Sequence, residues 1–247
     1  MDPTLRFSAR VDTYARYRPD YPAAVAALAQ RECGMRPGHV VADIGCGTGL
    51  LARLWLERGC EVIGVEPNRD MREAGQRALT GEPRFRAVDG RAEATCLAAA
   101  SVDFVTAGQA AHWFEPDAAH AEFARILKGG GWLLLVWNER KRQPGFMREY
   151  ETLIVEYAPE QPRVEPRRIA RFFGNDEWRM MRFDHFQTLD CEGLRGRLAS
   201  SSYAPLPGTE AFAALTARLD GVFARYQRDG AVAIEYDTEV YYGRVGK

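Results

Sequence analysis

The sequence lacks the features that mark several large classes of protein. Its most apolar run, Trp132–Trp137, spans only six of the 247 residues, whereas a membrane helix needs about 20. The start of the chain, Met1-Asp2-Pro3-Thr4, shows no basic stretch leading into an apolar one, so no signal peptide is predicted. The formal net charge is only -1, which provides no overall field for nucleic acid or an anionic membrane. We therefore expect a soluble protein that binds neither.

Cysteine is sparse and shows no metal-binding spacing. The five cysteines are odd in number, and no two of them form a Cys-x-x-Cys pair. This usage favours a reduced, cytoplasmic protein without a metal site. Lysine is nearly absent too, so almost all basic residues are arginine, a skew from which no function follows. The balance of apolar and charged residues is that of an ordinary globular protein.

The first 138 residues alternate between strand and helix patterns. Short apolar runs predict strands at 39–44, 61–65, 85–88, 101–106 and 132–137. Helical spacing separates several of them, at 50–58, 69–79 and 117–127. Such alternation is typical of a parallel sheet with helices on both faces. Two later strand patterns, near 183–189 and 231–245, flank a helix near 208–228 and predict an antiparallel edge.

A glycine-rich loop follows the first predicted strand. The segment Asp43-Ile44-Gly45-Cys46-Gly47-Thr48-Gly49 has the spacing Gly-x-Gly-x-Gly. Glycines let a backbone turn tightly and approach a ligand closely. A dinucleotide-binding loop usually reads Gly-x-Gly-x-x-Gly and delivers a pyrophosphate to the following helix. Here the third glycine comes one residue early, and the preceding acid, Asp43, suits a ligand with an ammonium group better than a pyrophosphate.

A second acid stands at the end of the next predicted strand. Glu66 follows Gly49 by 17 residues, and a carboxylate there can accept hydrogen bonds from both ribose hydroxyls of an adenosine. The loop, Asp43 and Glu66 together indicate an adenosine-containing ligand without a 2′-phosphate.

With these residues in place, the chain resembles the class I S-adenosylmethionine-dependent methyltransferases. Val41–Gly49 is similar to their first motif and Val65–Asn68 to their second. The similarity continues in three further segments: Gly90–Glu93, Ser101–Val105 and Ile126–Gly131. A closer resemblance, to the branch related to trans-aconitate methyltransferase, is carried by Tyr14–Pro22, Gln109–Phe114 and Tyr236–Tyr241.

The resemblance implies a fold and a domain organisation. The fold would be α/β, with a Rossmann-like seven-stranded sheet that is mostly parallel, has an antiparallel edge strand and carries helices on both faces. A single domain would span 1–247, with 1–35 as an N-terminal helical cap and about 140–180 as a helical lid insertion. The cofactor would be S-adenosyl-L-methionine.

The resemblance also implies which residues contact the cofactor. Asp43 would lie near the amino group of the methionine part, which the loop would cradle through Gly45, Cys46, Gly47, Thr48 and Gly49. Glu66 would hold the ribose, Pro67 and Met71 would flank the adenine, and Ala92 and Glu93 would reach the adenine edge through backbone groups. Gln109 completes the set. Arg91 stands where many relatives carry an acid that contacts the adenine amino group, which leaves recognition to the backbone.

The acceptor side offers several candidates. His112 is the candidate general base because imidazole titrates near working pH; alternatively it hydrogen-bonds a loop or positions an acceptor carboxylate that needs no base. Tyr14 and Arg18 in the cap, and Trp113 with Phe114, are candidates for contacting the acceptor. Alternatively, Tyr14 hydrogen-bonds the carboxylate of the cofactor, and the two aromatic residues belong to the core. In the lid, Arg163, Arg167, Arg168 and Arg171 could grip an anion, or form a solvated helical face. The segment Ser200–Tyr203 is a further candidate.

Two other functions remain open at this stage. A nucleotide-dependent oxidoreductase shares the glycine loop and the ribose acid, although the early third glycine and the Glu93 segment speak against it. A non-catalytic S-adenosylmethionine-binding protein would keep all these motifs. Methylation of nucleic acid is disfavoured by the charge balance. We therefore expect a small molecule as acceptor, with a carboxylic acid as the candidate class, and methylation achieved mainly by binding and alignment.

Overall fold

A seven-stranded mixed sheet organises the chain in the computed structural model, which describes residues 10–157, 166–201 and 204–246. Its strands lie in the order β3-β2-β1-β4-β5-β7-β6. In chain order they are β1 Val40–Ile44, β2 Glu61–Val65, β3 Phe85–Val88, β4 Val102–Gly108, β5 Leu127–Arg140, β6 Arg179–Leu189 and β7 Val232–Arg244. β1 to β5 are parallel, and β7 runs antiparallel to both β5 and β6. The predicted fold, mostly parallel with antiparallel pairing at one edge, is confirmed.

Helices surround this sheet. They are α1 Val11–Tyr17, α2 Ala23–Cys33, α3 Leu50–Leu56, α4 Arg69–Ala78, α5 Pro116–Ile126, α6 Phe146–Tyr157, α7 Pro166–Phe173, α8 Cys191–Ala199 and α9 Glu210–Tyr226. The patterns in the sequence predicted most of them within a few residues, but they did not predict α8. The strand predicted at 132–137 is longer in the structure, where β5 begins at Leu127 and includes Lys128–Gly131.

The central parallel strands β1, β2 and β4 are buried on both faces, which explains their apolar character. In β1, Val41 packs with the helices on one side of the sheet, whereas Ala42 and Ile44 pack on the other. Each of these three side chains has no solvent exposure. Because β1 lies between β2 and β4, its carboxyl end is surrounded by the carboxyl ends of two parallel neighbours. Loops that leave these ends meet at one edge of the sheet, where ligands of such folds bind.

A separate apolar cluster covers the N-terminal half of β7. Side chains from α6, α8 and α9 pack there around Ile234 and Tyr236, both fully buried. Helix α7 packs instead on α5 and β7. The segment 140–180, expected to form a lid, contains the end of β5, the helices α6 and α7, and the start of β6. The two helices have different packing partners. Residues 158–165 of this segment lie outside the described part.

The N-terminal segment is attached by polar contacts as well as by packing. Helix α1 lies against α4 and α8. Arg10, only 6% exposed, donates hydrogen bonds to the carbonyls of Ala199 and Ser201 at 2.7 Å, and a further one to the carbonyl of Ala204. Residues 1–9 of the predicted cap lie outside the described part. Among the described helices, none combines the length and the apolarity that crossing a bilayer demands.

The carboxylate of Glu122 fixes the loop after β3 to α5. It accepts hydrogen bonds from the backbone N–H of Thr95 at 2.8 Å and from the Thr95 hydroxyl at 2.5 Å. It also accepts two from Arg125, at 2.6 and 2.7 Å. These hydrogen bonds lower the pKa of Glu122 to about 2, and those from Arg125 have the largest effect. Desolvation acts in the opposite direction.

We expect Glu122→Gln to reduce the free energy of unfolding at pH 7 by about 1–3 kcal/mol, because charge-assisted hydrogen bonds are lost. A carboxyl whose pKa is lowered by folding stabilises the protein above its unfolded pKa, and that contribution is lost as the pH falls towards its folded pKa. The difference between wild type and variant should therefore shrink between the ordinary value of 4.5 and about 2. Urea unfolding at several pH values measures it, with the exposed Glu57→Gln as control. A difference that does not change with pH would contradict this account.

Candidate functional site

A cavity of about 180 Å³ lies at the carboxyl ends of β1, β2, β3 and β4. Every one of these strands contributes its following loop, and α1 contributes one side chain. The lining residues are Tyr14, Gly45, Gly47, Glu66, Pro67, Asn68, Met71, Gly90, Arg91, Ala92, Glu93, Gly108, Gln109, Ala110, Trp113 and Phe114. The cavity therefore brings together most of the residues that the sequence predicted to bind a cofactor.

The glycine loop needs its glycines for two reasons. Gly45, Gly47 and Gly49 all have positive φ, at 65°, 54° and 83°, in the left-handed region that glycine adopts without cost. A Cβ on Gly45 would also lie 2.7 Å from Cβ of Ala110, and one on Gly47 would lie 3.2 Å from Cε of Met71. Side chains in the loop would therefore strain the backbone and crowd the walls of the cavity.

Glu66 joins the glycine loop to the loop after β2. The side chain is 8% exposed, and its carboxylate accepts hydrogen bonds from the backbone N–H of Gly47 at 3.0 Å and of Asn68 at 2.9 Å. Burial raises its pKa, and these two hydrogen bonds oppose the shift. Each carboxylate oxygen has further lone-pair capacity. Glu66 can thus hold the two loops in place and still accept hydrogen bonds from a ligand in the cavity.

A smaller cavity of about 20 Å³ lies beside the large one, behind Tyr14 and Tyr21. Asp43 and Thr48 line it and are almost fully buried, at 1% and 4% exposure. Oδ1 of Asp43 accepts a hydrogen bond from the Thr106 hydroxyl at 3.0 Å. Among the described residues, neither Oδ2 of Asp43 nor Oγ1 of Thr48 has a hydrogen-bond partner. Buried polar atoms are rarely left unpaired, so these two atoms indicate where a polar ligand group binds.

The titration of Asp43 fits this interpretation. Burial, opposed mainly by the hydrogen bond from Thr106, raises the pKa of Asp43 to about 7. A cationic group beside the carboxylate would stabilise the ionised form and lower that pKa again. The small cavity is therefore suited to an ammonium group. The predicted residue Cys46 also lines it, and its thiol is buried with a raised pKa.

The opposite end of the large cavity is closed by short hydrogen-bonded loops. The Asn68 side chain caps α4 by accepting a hydrogen bond from the backbone N–H of Met71 at 2.9 Å. Glu93 accepts one from the backbone N–H of Glu115 at 2.8 Å. Met71 and Ala92 are 4% and 3% exposed and present apolar surface beside Pro67. A flat aromatic base could be held between such apolar groups.

Gln109 lies at the border of the cavity in an unusual backbone conformation. Its φ is +53°, which is rare for a residue other than glycine. The backbone N–H donates to the carbonyl of Val136 at 2.9 Å, and Nε2 donates to the carbonyl of Asn138 at 3.0 Å. These bonds hold the strained residue in place, and strain of this kind is concentrated at functional sites.

The predicted acceptor residues are divided by the structure. Tyr14 and Trp113 line the large cavity, and Trp113 is 39% exposed at its border. His112 is not among the residues that line it. Nδ1 of His112 is buried and has no hydrogen-bond partner among the described residues. Burial, and then the charges of Arg168 and Arg18, lower the pKa of His112 to about 4, so the imidazole is neutral near pH 7.

Two arginines near His112 hold backbone carbonyls. Arg168 donates to the carbonyls of His112, at 3.4 Å, and of Phe114, and so braces the turn after β4. Arg18 donates to the carbonyl of Ser200 at 2.9 Å and lies over the ring of Tyr14, 4.7 Å from its centre.

The other lid candidates lie elsewhere. Arg171 forms exposed ion pairs with Asp117 and Glu115 on the surface, and Arg167 is exposed. Arg163, Ser202 and Tyr203 lie outside the described residues. Within the described ranges, no group of three or more His, Cys, Asp or Glu residues is arranged to hold a metal ion.

Sequence reasoning missed Asn138, which connects three parts of the site. The side chain is 6% exposed. Its Nδ2 donates to the carbonyl of Asp20 at 2.9 Å, and its Oδ1 accepts from the Thr238 hydroxyl at 2.7 Å. Its backbone carbonyl accepts a hydrogen bond from Nε2 of Gln109. The only signal in the sequence is a polar residue directly after the apolar run of β5.

Comparisons with known proteins agree with this architecture. A family model described as a methyltransferase domain matches residues 42–135. An uncharacterized methyltransferase of Mycobacterium tuberculosis is 39% identical over 153 residues, which are 62% of this chain and 60% of that protein. An uncharacterized methyltransferase-like protein of Schizosaccharomyces pombe is 26% identical over 242 residues, 95% and 93% of the two chains. This chain thus spans about 60% of the length of the first curated relatives.

Solved structures support the fold. A protein of Anaeromyxobacter dehalogenans, assigned as a type II methyltransferase, superposes with a TM-score of 0.69 at 21% identity, covering 93% of this chain and 98% of that one. A geranyl diphosphate methyltransferase solved with S-adenosylmethionine superposes with a TM-score of 0.50 at 18% identity, covering 90% and 85%. At such identities the likeness establishes the fold alone.

We expect Asn138→Ala to loosen the N-terminal segment while leaving the sheet intact. The change removes the donor to the Asp20 carbonyl and the acceptor of the buried Thr238 hydroxyl, at a cost of about 1–3 kcal/mol per unsatisfied group. Hydrogen exchange of residues 10–22 should accelerate, whereas exchange in β1 and β4 should not. The exposed Gln76→Ala serves as control. Unchanged protection of residues 10–22 would show that Asn138 does not hold this segment.

Proposed function

We propose that this protein is a class I S-adenosylmethionine-dependent methyltransferase that transfers a methyl group to a small-molecule acceptor. The observation that carries the proposal is a pair of neighbouring cavities, each lined by a buried acid. Asp43 lies in the small cavity and Glu66 in the large one. An ammonium group and a ribose diol are the two polar features that S-adenosylmethionine would present to them.

The residues present fit this cofactor along its whole length. Asp43 and Thr48, with unpaired buried oxygens, would hold the methionine amino group beside Gly45, Cys46, Gly47 and Gly49. Glu66 would accept the ribose hydroxyls, and Pro67, Met71, Ala92 and Glu93 would enclose the adenine. When bound, S-adenosylmethionine would supply a methyl group attached to a sulfonium. An electron pair of the acceptor would bond to the methyl carbon, and the electrons of the broken carbon–sulfur bond would stay on sulfur.

The protein's own part in that reaction is mainly positioning. Gln109, locked in a strained conformation, and Tyr14 and Trp113 border the large cavity and would orient the acceptor. Alignment of two reactants can lower a barrier by several kcal/mol without proton transfer. His112 would serve as a neutral hydrogen-bonding group, because a base with a pKa of about 4 removes protons poorly near pH 7.

We propose a carboxylic acid as the acceptor. One support is the resemblance to the trans-aconitate methyltransferase-related branch. The other is positive charge: Arg18 and Arg168 both lower the pKa of His112, so both lie close enough to attract an anion beside it. A carboxylate is ionised near pH 7 and is already a nucleophile, so it needs no base.

The organisation of the chain belongs to the same proposal. One methyltransferase domain would span residues 1–247, residues 1–35 would form a cap, and about 140–180 would contribute a lid over the acceptor. Tyr14 on α1, at the border of the large cavity, supports the cap. A cytoplasmic location is supported by the five free cysteines.

Calorimetric titration with S-adenosylhomocysteine, with NAD in parallel, tests the cofactor assignment. We expect binding of S-adenosylhomocysteine alone, weakened about tenfold to a hundredfold by Glu66→Ala, because hydrogen bonds to a charged group contribute about 1–3 kcal/mol. Glu61→Ala, exposed at the other end of β2, is the matched control. Binding of NAD alone would overturn the proposal in favour of hydride transfer. Tight S-adenosylhomocysteine binding without any turnover would favour a non-catalytic binding protein.

A panel of carboxylic acids, phenols and amines with an isotopically labelled methyl donor tests the acceptor class. We expect turnover of a carboxylic acid, with a kcat at saturating methyl donor that is nearly independent of pH from about 6 to 8. Neither the acceptor nor His112 titrates there, and the bound cation keeps Asp43, whose pKa without it is about 7, ionised. Arg168→Gln should raise the KM for that acid about tenfold or more. Arg36→Gln, exposed before β1 at the opposite end of the sheet, is the control. Methylation of a phenol or an amine, with no turnover of any acid, would refute the acceptor class.

A further inference from the structure

The edge strand β6 offers a long surface for pairing. It spans 11 residues, and among the described residues only β7 pairs with it. Its other side therefore presents a row of backbone N–H and C=O groups without a strand partner. Natural proteins usually shorten or bury such edges, because an exposed edge is a template for a further strand.

The side chains on one face of β6 are unusually exposed for a sheet. Successive residues point to opposite faces, so Met180, Arg182, Asp184 and Phe186 share one face. Phe186 is 66% exposed and Met180 41% exposed, which places both among the large apolar side chains most open to solvent in the described part. Between them stand one positive and one negative charge. On the opposite face the residues from Phe183 onwards are partly covered, and Phe183 itself packs against the core.

This face is complementary to itself. If two copies of β6 pair antiparallel about a two-fold axis at Phe183, Met180 lies opposite Phe186 of the second copy, and Arg182 lies opposite its Asp184. Both apolar side chains are then covered, and both charges meet an opposite charge. Because the two-fold axis forms two copies of every contact, the strand contributes two apolar pairs and two ion pairs.

Neighbouring registers lack this complementarity. An antiparallel two-fold pairing must be centred on a residue, since opposite side chains share a face. Moving the centre to Arg182 places that arginine opposite itself, and moving it to Asp184 places that aspartate opposite itself. Like charges directly opposite are destabilising. Centres at Met181 or His185 avoid like charges, but they place Met180 opposite Arg182 or Asp184 opposite Phe186. The pattern of charged and apolar residues together thus selects the register centred on Phe183.

The charges remain available for a second partner. Arg182 forms an ion pair with Glu239 on β7, yet its side chain is 53% exposed. Asp184 contacts Lys141, yet its side chain is 88% exposed. Each can therefore contact the opposite charge of a second copy without losing its partner within the chain.

We propose that a second copy of this chain pairs with β6 in the register centred on Phe183, joining the two sheets into one across a two-fold axis. The partner is a copy of the same chain because the pattern of apolar and charged residues fits its own reverse. The cofactor cavity lies at the carboxyl ends of β1 to β4, away from this edge, so pairing leaves it open.

Sedimentation velocity over a concentration series tests the pairing, using the full chain. We expect wild type to dimerise. Asp184→Arg and Arg182→Asp should each raise the dissociation constant about tenfold or more, since attractive cross-strand pairs become repulsive. An equimolar mixture of the two variants should form a heterodimer, because position 182 of each variant then faces the opposite charge at position 184 of the other. The double variant should dimerise like wild type, and Glu57→Arg, far from β6, should have no effect.

Each outcome has a definite meaning. Thermal unfolding and S-adenosylhomocysteine titration verify that the variants are folded, so a weakened dimer cannot be attributed to misfolding. Phe186→Glu, which leaves both charges in place, should also weaken dimerisation. A wild type that stays monomeric at the highest concentration would overturn the proposal, as would a dimer that neither charge reversal affects. Recovery in the mixed sample would establish both the partner and the register.

Discussion

The placement of β1 between two parallel neighbours is the constraint on which the rest of the molecule depends. Because β2 and β4 flank it in the same direction, three strand ends point to one place, and the loops that leave them are forced together. The backbone N–H of Gly45 then donates to the carbonyl of Val65 at 2.8 Å, and the Gly47 N–H donates to Glu66. Two segments separated along the chain become one rigid wall of the cavity.

This wall carries an electrostatic cost that the ligand can relieve. Asp43 is buried with an unpaired oxygen beside the unpaired hydroxyl of Thr48, an arrangement that destabilises the ligand-free protein. A stable fold without a ligand would replace such groups by apolar ones. We infer that these groups are kept for ligand binding. The raised pKa of Asp43 reflects the same cost of burying the carboxylate.

The sequence predicted those features that short segments determine by themselves. The spacing of Gly45, Gly47 and Gly49, and an acid at the end of β2, are local patterns with a direct chemical meaning. Asn138 is different, because its role arises only when Asp20 and Thr238 reach it from distant parts of the chain. Arg168 is different for the same reason, because the carbonyls that it contacts after β4 lie more than 50 residues away along the chain.

The skew towards arginine acquires a structural explanation at this site. Arg10, Arg18 and Arg168 all donate to backbone carbonyls, at the end of α8 or in the turn after β4. A planar guanidinium with several donors can hold two carbonyls at once, where an ammonium acts as a point charge. Arg10 does so between α1 and the end of α8. Polar contacts thus add to apolar packing in fixing α1 and α7, since Val11 packs with Met71, and Ile169 belongs to the core of the sheet. Such polar contacts can be exchanged one by one without disturbing the packing around β1. If the acceptor binds beside them, as we propose, its site could change while the glycine loop, Asp43 and Glu66 stay as they are.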